Sequence, residues 1–322
     1  MSTPTEAKFS LTYYTGFLSV LFAAFLWGTA GTAASFAKGI SPLVIATISV
    51  GFGGLIHTFL SLKAIKKDYR KLFDYKTKVL IAVIVSILCP FAFYSSVSLA
   101  GVSIGTVISI GCAPLFSVML EWLLDKRKLS LKWLISFILG FLGVVLLSYA
   151  GEHSHQHQGG QSERLLGVFF GLLSSLSYAT YSWIMKNLIH KGIDSRAAMG
   201  VIFGISAVLL LPTLLITATH LFNYPNNIWV ALYIPIVPMF LGYLFFSFGL
   251  KRIPASQAMT LALVEIPVAA LLAVVVVGES LTMNSYLGLV LIFLCVIAKY
   301  WIKQPPIPAP TIPVILVRAI PL

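Results

Sequence analysis

Apolar residues run along most of this chain in long, nearly unbroken stretches, and the polar residues gather in short groups between them. A bilayer core ~30 Å thick takes roughly 20 apolar residues of helix to cross. Ten stretches meet that requirement, at about 17–36, 43–62, 78–99, 102–124, 130–150, 165–185, 197–219, 228–250, 255–277 and 281–302. Most connections are very short, with only Ala100-Gly101 between the third and fourth. Neighbouring spans are therefore expected to pair as antiparallel hairpins with no inserted soluble domain. The pattern predicts an all-α membrane protein.

The chain also repeats itself at an offset of about 150 residues. Ala100–Ser130 reads AGVSIGTVISIGCAPLFSVMLEWLLDKRKLS, and Ile253–Thr282 reads IPASQAMTLALVEIPVAALLAVVVVGESLT. Pro114 falls on Pro267 and Ser103 on Ser256, while Gly16…Trp27-Gly28-Thr29 lies over Gly167…Tyr178-Ala179-Thr180. Each copy holds five spans. Because five is odd, the second copy must enter the bilayer from the opposite side. Such an inverted repeat, with a pseudo-two-fold axis in the membrane plane, supports alternating access.

Composition agrees. The chain of 322 residues is 58% hydrophobic and 10% charged, with a mean hydropathy of +0.95, more apolar surface than a water-soluble fold can bury. The net charge of +12 would suit nucleic acid, but its placement excludes that partner. The basic residues cluster in alternate connections, as cytoplasmic loops do. With the N-terminus inside, 20 of the 22 Lys and Arg face inward, leaving Lys38 and Arg164 outside. Both termini are thus expected in the cytoplasm. The expected order is a cytoplasmic N-terminus (1–16), a first repeat (17–150), a polar outer loop (151–164), a second repeat (165–302) and a Pro-rich tail (303–322). The first span is too long for a signal peptide and pairs with span six, so it is expected to stay in place. Cys89, Cys112 and Cys295 all lie in apolar runs and form no disulfide or metal framework.

Glu265 is the sharpest candidate for chemistry. It sits about ten residues into span nine, near the midplane, and no Lys or Arg falls at that depth in any span. A carboxylate there costs at least ~3 kcal/mol, so it is protonated, facing water, or paired with something the chain does not encode. A proton and a substrate ammonium are the candidate partners; the plainer reading is a protonated Glu bonded to a neighbouring helix. Its counterpart in the first repeat is Cys112. Pro114 and Pro267 lie mid-span at matching places, where a proline removes a helical hydrogen bond and kinks the helix. They are candidates for a cavity or gating role. Small polar residues recur in span four (Ser103, Thr106, Ser109, Gly111, Cys112) and span nine (Ser256, Gln257, Thr260), where close helix packing explains most of them. Aromatic residues cluster near the expected centre: Trp27, Phe93, Tyr94, Tyr178, Tyr181 and Tyr243. They either fill the core or wall a pocket for an amphipathic solute. Three signals are weaker. Glu121 is expected to pair with its own basic loop, His57 to be packed, and His153-x-His155-x-His157 occupies a loop with little to hold a metal. The chain carries no Walker A motif and no nucleophile–base pair, so neither an ATP-driven pump nor an enzyme is indicated.

Trp27-Gly28, Glu265-Ile266-Pro267-Val268 and Gly278-Glu279-Ser280-Leu281-Thr282, together with the ten spans and the inverted repeat, resemble the drug/metabolite transporter superfamily, specifically EamA-type ten-helix permeases. The resemblance covers roughly residues 16–302. It departs in Ile266 between Glu and Pro, and in Asp125–Ser130 where a Gly-Glu-Arg-Leu-Ser-like turn is usual. It implies an inner-membrane secondary transporter, commonly an exporter of amino acids or other small metabolites, with a central cavity between the halves. In that reading Trp27, Tyr94, Tyr178 and Tyr243 contact the apolar part of the solute, and Glu265 binds its cationic group or a coupling proton. No cofactor is expected beyond possible proton coupling; the partners are a small-molecule substrate and the bilayer. The alternatives are a passive uniporter or channel, a multidrug or cation efflux permease, a membrane-embedded enzyme or lipid-handling protein, and metal export through the His loop.

Overall fold

The computed structural model describes residues 4–100, 102–126, 161–218 and 221–277, with parts of 134–146 and 283–294. Most of expected spans five and ten, the His-rich stretch 151–160, the Gly278–Thr282 motif and the tail lie outside the described residues. Among those described, the chain is helical throughout and contains no strand. Eight helical stretches are long and apolar enough to cross a bilayer.

The first repeat contributes α1 (Pro4–Ser35), α2 (Pro42–Asp74), α3 (Lys76–Ala100), α4 (Val102–Gly111) and α5 (Ala113–Asp125). The second contributes α6 (Gln161–His190), α7 (Ser195–Leu210), a 3-10 turn leading to α8 (Leu214–Thr217), then α9 (Pro225–Ile234) and a π-helical segment (Pro235–Gly242). It continues with α10 (Tyr243–Leu250), α11 (Ala255–Ala262), α12 (Glu265–Leu272) and a final π segment (Ala273–Val277).

The repeats interleave. α1 packs on α10, α11 and α12 of the other half, and α6 packs in the same sense on α3, α4 and α5. α2 lies against α7. Polarity runs opposite to that of a soluble protein: Ser206 is 0% exposed while Leu215 is 90% exposed. With lipid outside, large apolar side chains face outward and small residues let helices approach closely.

Helix boundaries differ from the sequence expectation at several places. α2 continues twelve residues beyond the end of its apolar run, to Asp74. Its polar last turns are held by tertiary contacts: Asp68 accepts the Asp194 backbone N–H at 2.7 Å, and Lys71 donates to the Gly192 carbonyl at 3.0 Å. Expected spans four and nine are each interrupted, at Cys112 and at Leu263-Val264. Pro114 and Pro267 stand in the first turn of the helix that follows each interruption. There a missing N–H costs nothing, because the first turn has no intrahelical acceptor to satisfy. The Leu263 carbonyl, which Pro267 has no N–H to reach, takes the Ile266 N–H at 3.1 Å instead.

Candidate functional site

The interleaving brings α1, α2, α3, α4, α6, α7, the first π segment, α10 and α12 around one central cavity of about 130 Å³. Trp27, Tyr94, Tyr178, Tyr243 and Glu265, drawn from five separate spans, all line it. Phe93 and Ser109 line it as well.

Trp27 anchors one wall. Its ring lies 5.0 Å from Tyr243, 5.1 Å from Phe246 and 5.8 Å from Tyr178, and the Tyr243 and Tyr178 contacts are edge-on. Edge-on packing sets the positive rim of one ring against the negative face of another. The indole Nε1 donates to the Pro238 carbonyl at 2.8 Å, fixing the side chain against the π segment. Gly242 makes that approach possible, since a Cβ there would stand 2.5 Å from Trp27 Nε1. Gly28, the next residue on α1, presses on the start of α12: a Cβ would meet Val268 at 2.7 Å and the Glu265 backbone oxygen at 2.8 Å. Trp27-Gly28 thus sets both the aromatic wall and the seat of the acidic residue.

Glu265 is the first residue of α12 and is partly exposed to the cavity. The positive end of a helix dipole favours a carboxylate at that position. Among the described residues, its carboxylate has no hydrogen-bond or ion-pair partner, and the cavity lining contains no Lys, Arg or His. The Tyr178 hydroxyl and the Ser109 hydroxyl, both buried and both on the lining, also lack partners among the described residues. Two other lining hydroxyls are satisfied: Ser86 Oγ lies 2.8 Å from Ser206 Oγ, and Ser174 Oγ donates to the Cys89 carbonyl at 3.0 Å. The result is a carboxylate on the wall of an aromatic-lined cavity whose lining supplies no counter-charge.

The EamA-like transporter family signature matches the chain twice, over residues 14–149 and 165–300. The chain belongs to the EamA-like transporter family. It is a multi-pass membrane transporter. The Bacillus subtilis protein named uncharacterized transporter YwfM is 33% identical over 281 residues, covering 86% of this chain and 90% of its own. An uncharacterized transporter of Archaeoglobus fulgidus is 27% identical over 277 residues, 83% and 92% of the two chains. A solved crystal structure shares the fold with a TM-score of 0.71 at 16% identity, covering 90% of this chain and 96% of its own.

Other residues singled out from the sequence lie elsewhere in the transporter. Pro114 and Pro267 border the helix interruptions and are not on the cavity wall. Cys112 forms the turn between α4 and α5, directly after Gly111. Ser256, Gln257 and Thr260 are buried in α11. Tyr181 supports the site from behind, 5.7 Å from the Tyr243 ring. His57 is packed between Phe203 and Phe240, its Nε2 3.4 Å from the Met239 carbonyl. The side chains of Ser103 and Thr106 lie outside the described residues.

The expected pairing of Glu121 with its own basic loop involves Arg127 and Lys128, which lie outside the described residues. The Glu121 carboxylate crosses to the other repeat and accepts from the Ser256 backbone N–H and the Ser256 hydroxyl, both at 3.0 Å. This caps the N-terminus of α11, where a negative charge is favoured. Beside it, Lys186 donates to the Leu250 carbonyl and, at 2.9 Å, to the Ile253 carbonyl, holding the α10–α11 turn. The repeat-related positions hold Val274 and Ser35, so this latch has no charged twin. Glu121→Gln keeps the shape and removes the charge. It is expected to loosen the latched end and to raise the labelling rate of cavity-lining Cys89 by an impermeant maleimide several-fold from that side, in a Cys112→Ser, Cys295→Ser background. An unchanged rate would show that the latch does not govern access.

Sequence reasoning missed Pro238, Gly242 and Cys89. Pro235 and Pro238 inside one apolar run were the available signal, because two prolines three residues apart cannot sit in a regular α-helix interior.

Proposed function

We propose that the transporter is a secondary-active permease that moves an amino acid or another small metabolite with a cationic amino group outward by alternating access. Outward is the direction common among EamA-type permeases. In this reading Glu265 holds the ammonium group, or a coupling proton when the solute is absent. Trp27, Tyr94, Tyr178 and Tyr243 contact its apolar part, and Pro114 and Pro267 mark the points about which the half-helices move. The observation that carries the reading is the Glu265 carboxylate, placed in the central cavity without a partner among the described residues. Aromatic faces add cation–π attraction for the same group. The interleaved inverted repeat supports alternating access.

Size favours a small solute over a bulky drug. The cavity holds about 130 Å³, whereas sites for drug-sized ligands run to roughly 300–1,000 Å³. The test is counterflow in proteoliposomes with labelled amino acids and related amines. Saturable exchange of at least one of them is expected. Exchange confined to bulky drugs would replace this reading.

A further inference from the structure

A second concavity, separate from the central cavity, lies where the end of α2 and the start of α3 meet α7, and it holds about 1010 Å³. Its floor is apolar and buried, formed by Leu72, Val79 and Val83, with Ile205 of α7 on one wall. Its mouth carries Arg70, Lys76, Tyr69 and Phe73, beside Asp74 and Thr77. The Arg70 guanidinium donates to the Tyr69 hydroxyl at 2.8 Å, and the Lys76 ammonium sits 5.2 Å above the Phe73 ring. Neither cation has a carboxylate within salt-bridge distance among the described residues. The surrounding stretch 62–78 carries seven basic side chains and two acidic ones, and of the latter Asp68 is engaged by Lys71 and the Asp194 N–H.

We propose that this groove is a binding site for an anionic phospholipid, its headgroup phosphate held by Arg70 and Lys76 and one acyl chain lying against Leu72, Val79, Val83 and Ile205. The dimensions agree. From Lys76 to Val83 the helix advances ~10 Å, most of the depth of one leaflet of a ~30 Å hydrocarbon core. Basic residues next to aromatic rings at the rim of an apolar intramembrane groove match a charged headgroup above an acyl chain. Charge decides against two other occupants. The tail beyond Gln304 carries Arg318 and no acidic side chain, so it does not complement the mouth. A second copy related by a two-fold axis would set the two basic mouths together.

The site rests on the membrane setting and is independent of the solute moved in the central cavity. The test is native mass spectrometry of the full chain, titrated with phosphatidylglycerol and separately with phosphatidylcholine. Retention of one phosphatidylglycerol per chain at energies that strip phosphatidylcholine is expected. Each basic contact contributes about fivefold to anionic lipid affinity, so Arg70→Gln with Lys76→Gln should lower the preference by ~30-fold. Lys63→Gln with Lys66→Gln, which leaves the groove intact, should keep most of it. Ile205→Trp, which fills the groove from an exposed position, should release the lipid with the headgroup contacts in place. Equal retention of both lipids, or a preference that survives the Arg70/Lys76 change, would overturn the proposal. So would an increase in lipid binding on truncation at Gln304, or a change in oligomeric mass with Ile205→Trp, since these would give the groove to the tail or to a second copy.

Discussion

Glu265→Gln is expected to lower counterflow of the transported amine by about 100-fold and to flatten its pH profile. Removing one partner of a buried charge pair costs ~2–5 kcal/mol, and a hundredfold corresponds to ~2.8 kcal/mol. The pH dependence follows from competition. A proton and an ammonium group bid for one carboxylate, so in the wild type the apparent affinity for the cation falls as pH falls. Glutamine does not titrate, and the dependence disappears with the charge. Stability should move the other way. An ionised carboxylate without a partner in a low-dielectric cavity opposes folding, so the empty Gln variant should melt at the same temperature or higher. A variant that lost stability along with transport would assign Glu265 to helix packing instead.

Gly28→Val should be nearly as damaging by a different route. The added Cβ would stand 2.7 Å from Val268 and 2.8 Å from the Glu265 backbone oxygen. A backbone oxygen cannot turn aside as a side chain does, so α1 and α12 must separate. Overpacking of this kind costs ~1–3 kcal/mol of stability. The displaced residue is the one that carries the charge, so counterflow is expected to fall at least tenfold even where the protein still folds. Gly242→Ala is milder, forcing the Trp27 indole away from its 2.8 Å bond to Pro238. Gly31→Ala is the control, because nothing lies within 4 Å of its added Cβ. A Gly28→Val protein with wild-type rates, or a Gly31→Ala protein with impaired ones, would remove the argument that the Trp27-Gly28 pair seats Glu265.

Much of the architecture was legible because membrane proteins write their spans as uninterrupted apolar runs. The pairing of Trp27 with Tyr178 and of Pro114 with Pro267 exposed the repeat. Depth placed the five residues near one centre, but a filled aromatic core and a pocket wall look alike in sequence, and the central cavity was an expectation from the family resemblance. What stayed hidden depends on partners distant in sequence. α2 runs past its apolar stretch because Asp68 finds a backbone N–H 126 residues away. Glu121 looks local beside Asp125-Lys126-Arg127-Lys128, yet it caps a helix 135 residues on. The distortion before Tyr243 was written in Pro235 and Pro238 but is easily passed over within an apolar run. Its consequence, a carbonyl offered to Trp27, appears only once the helices are packed.

The most direct measurement of the central claim is net movement of the exchanged amine in proteoliposomes under an imposed pH gradient, with Glu265→Gln alongside. Accumulation of the solute against its own gradient, driven by protons in the wild type and absent in Glu265→Gln, is the result this account predicts. Equilibration without accumulation in the wild type, or uphill accumulation that survives Glu265→Gln, would contradict it.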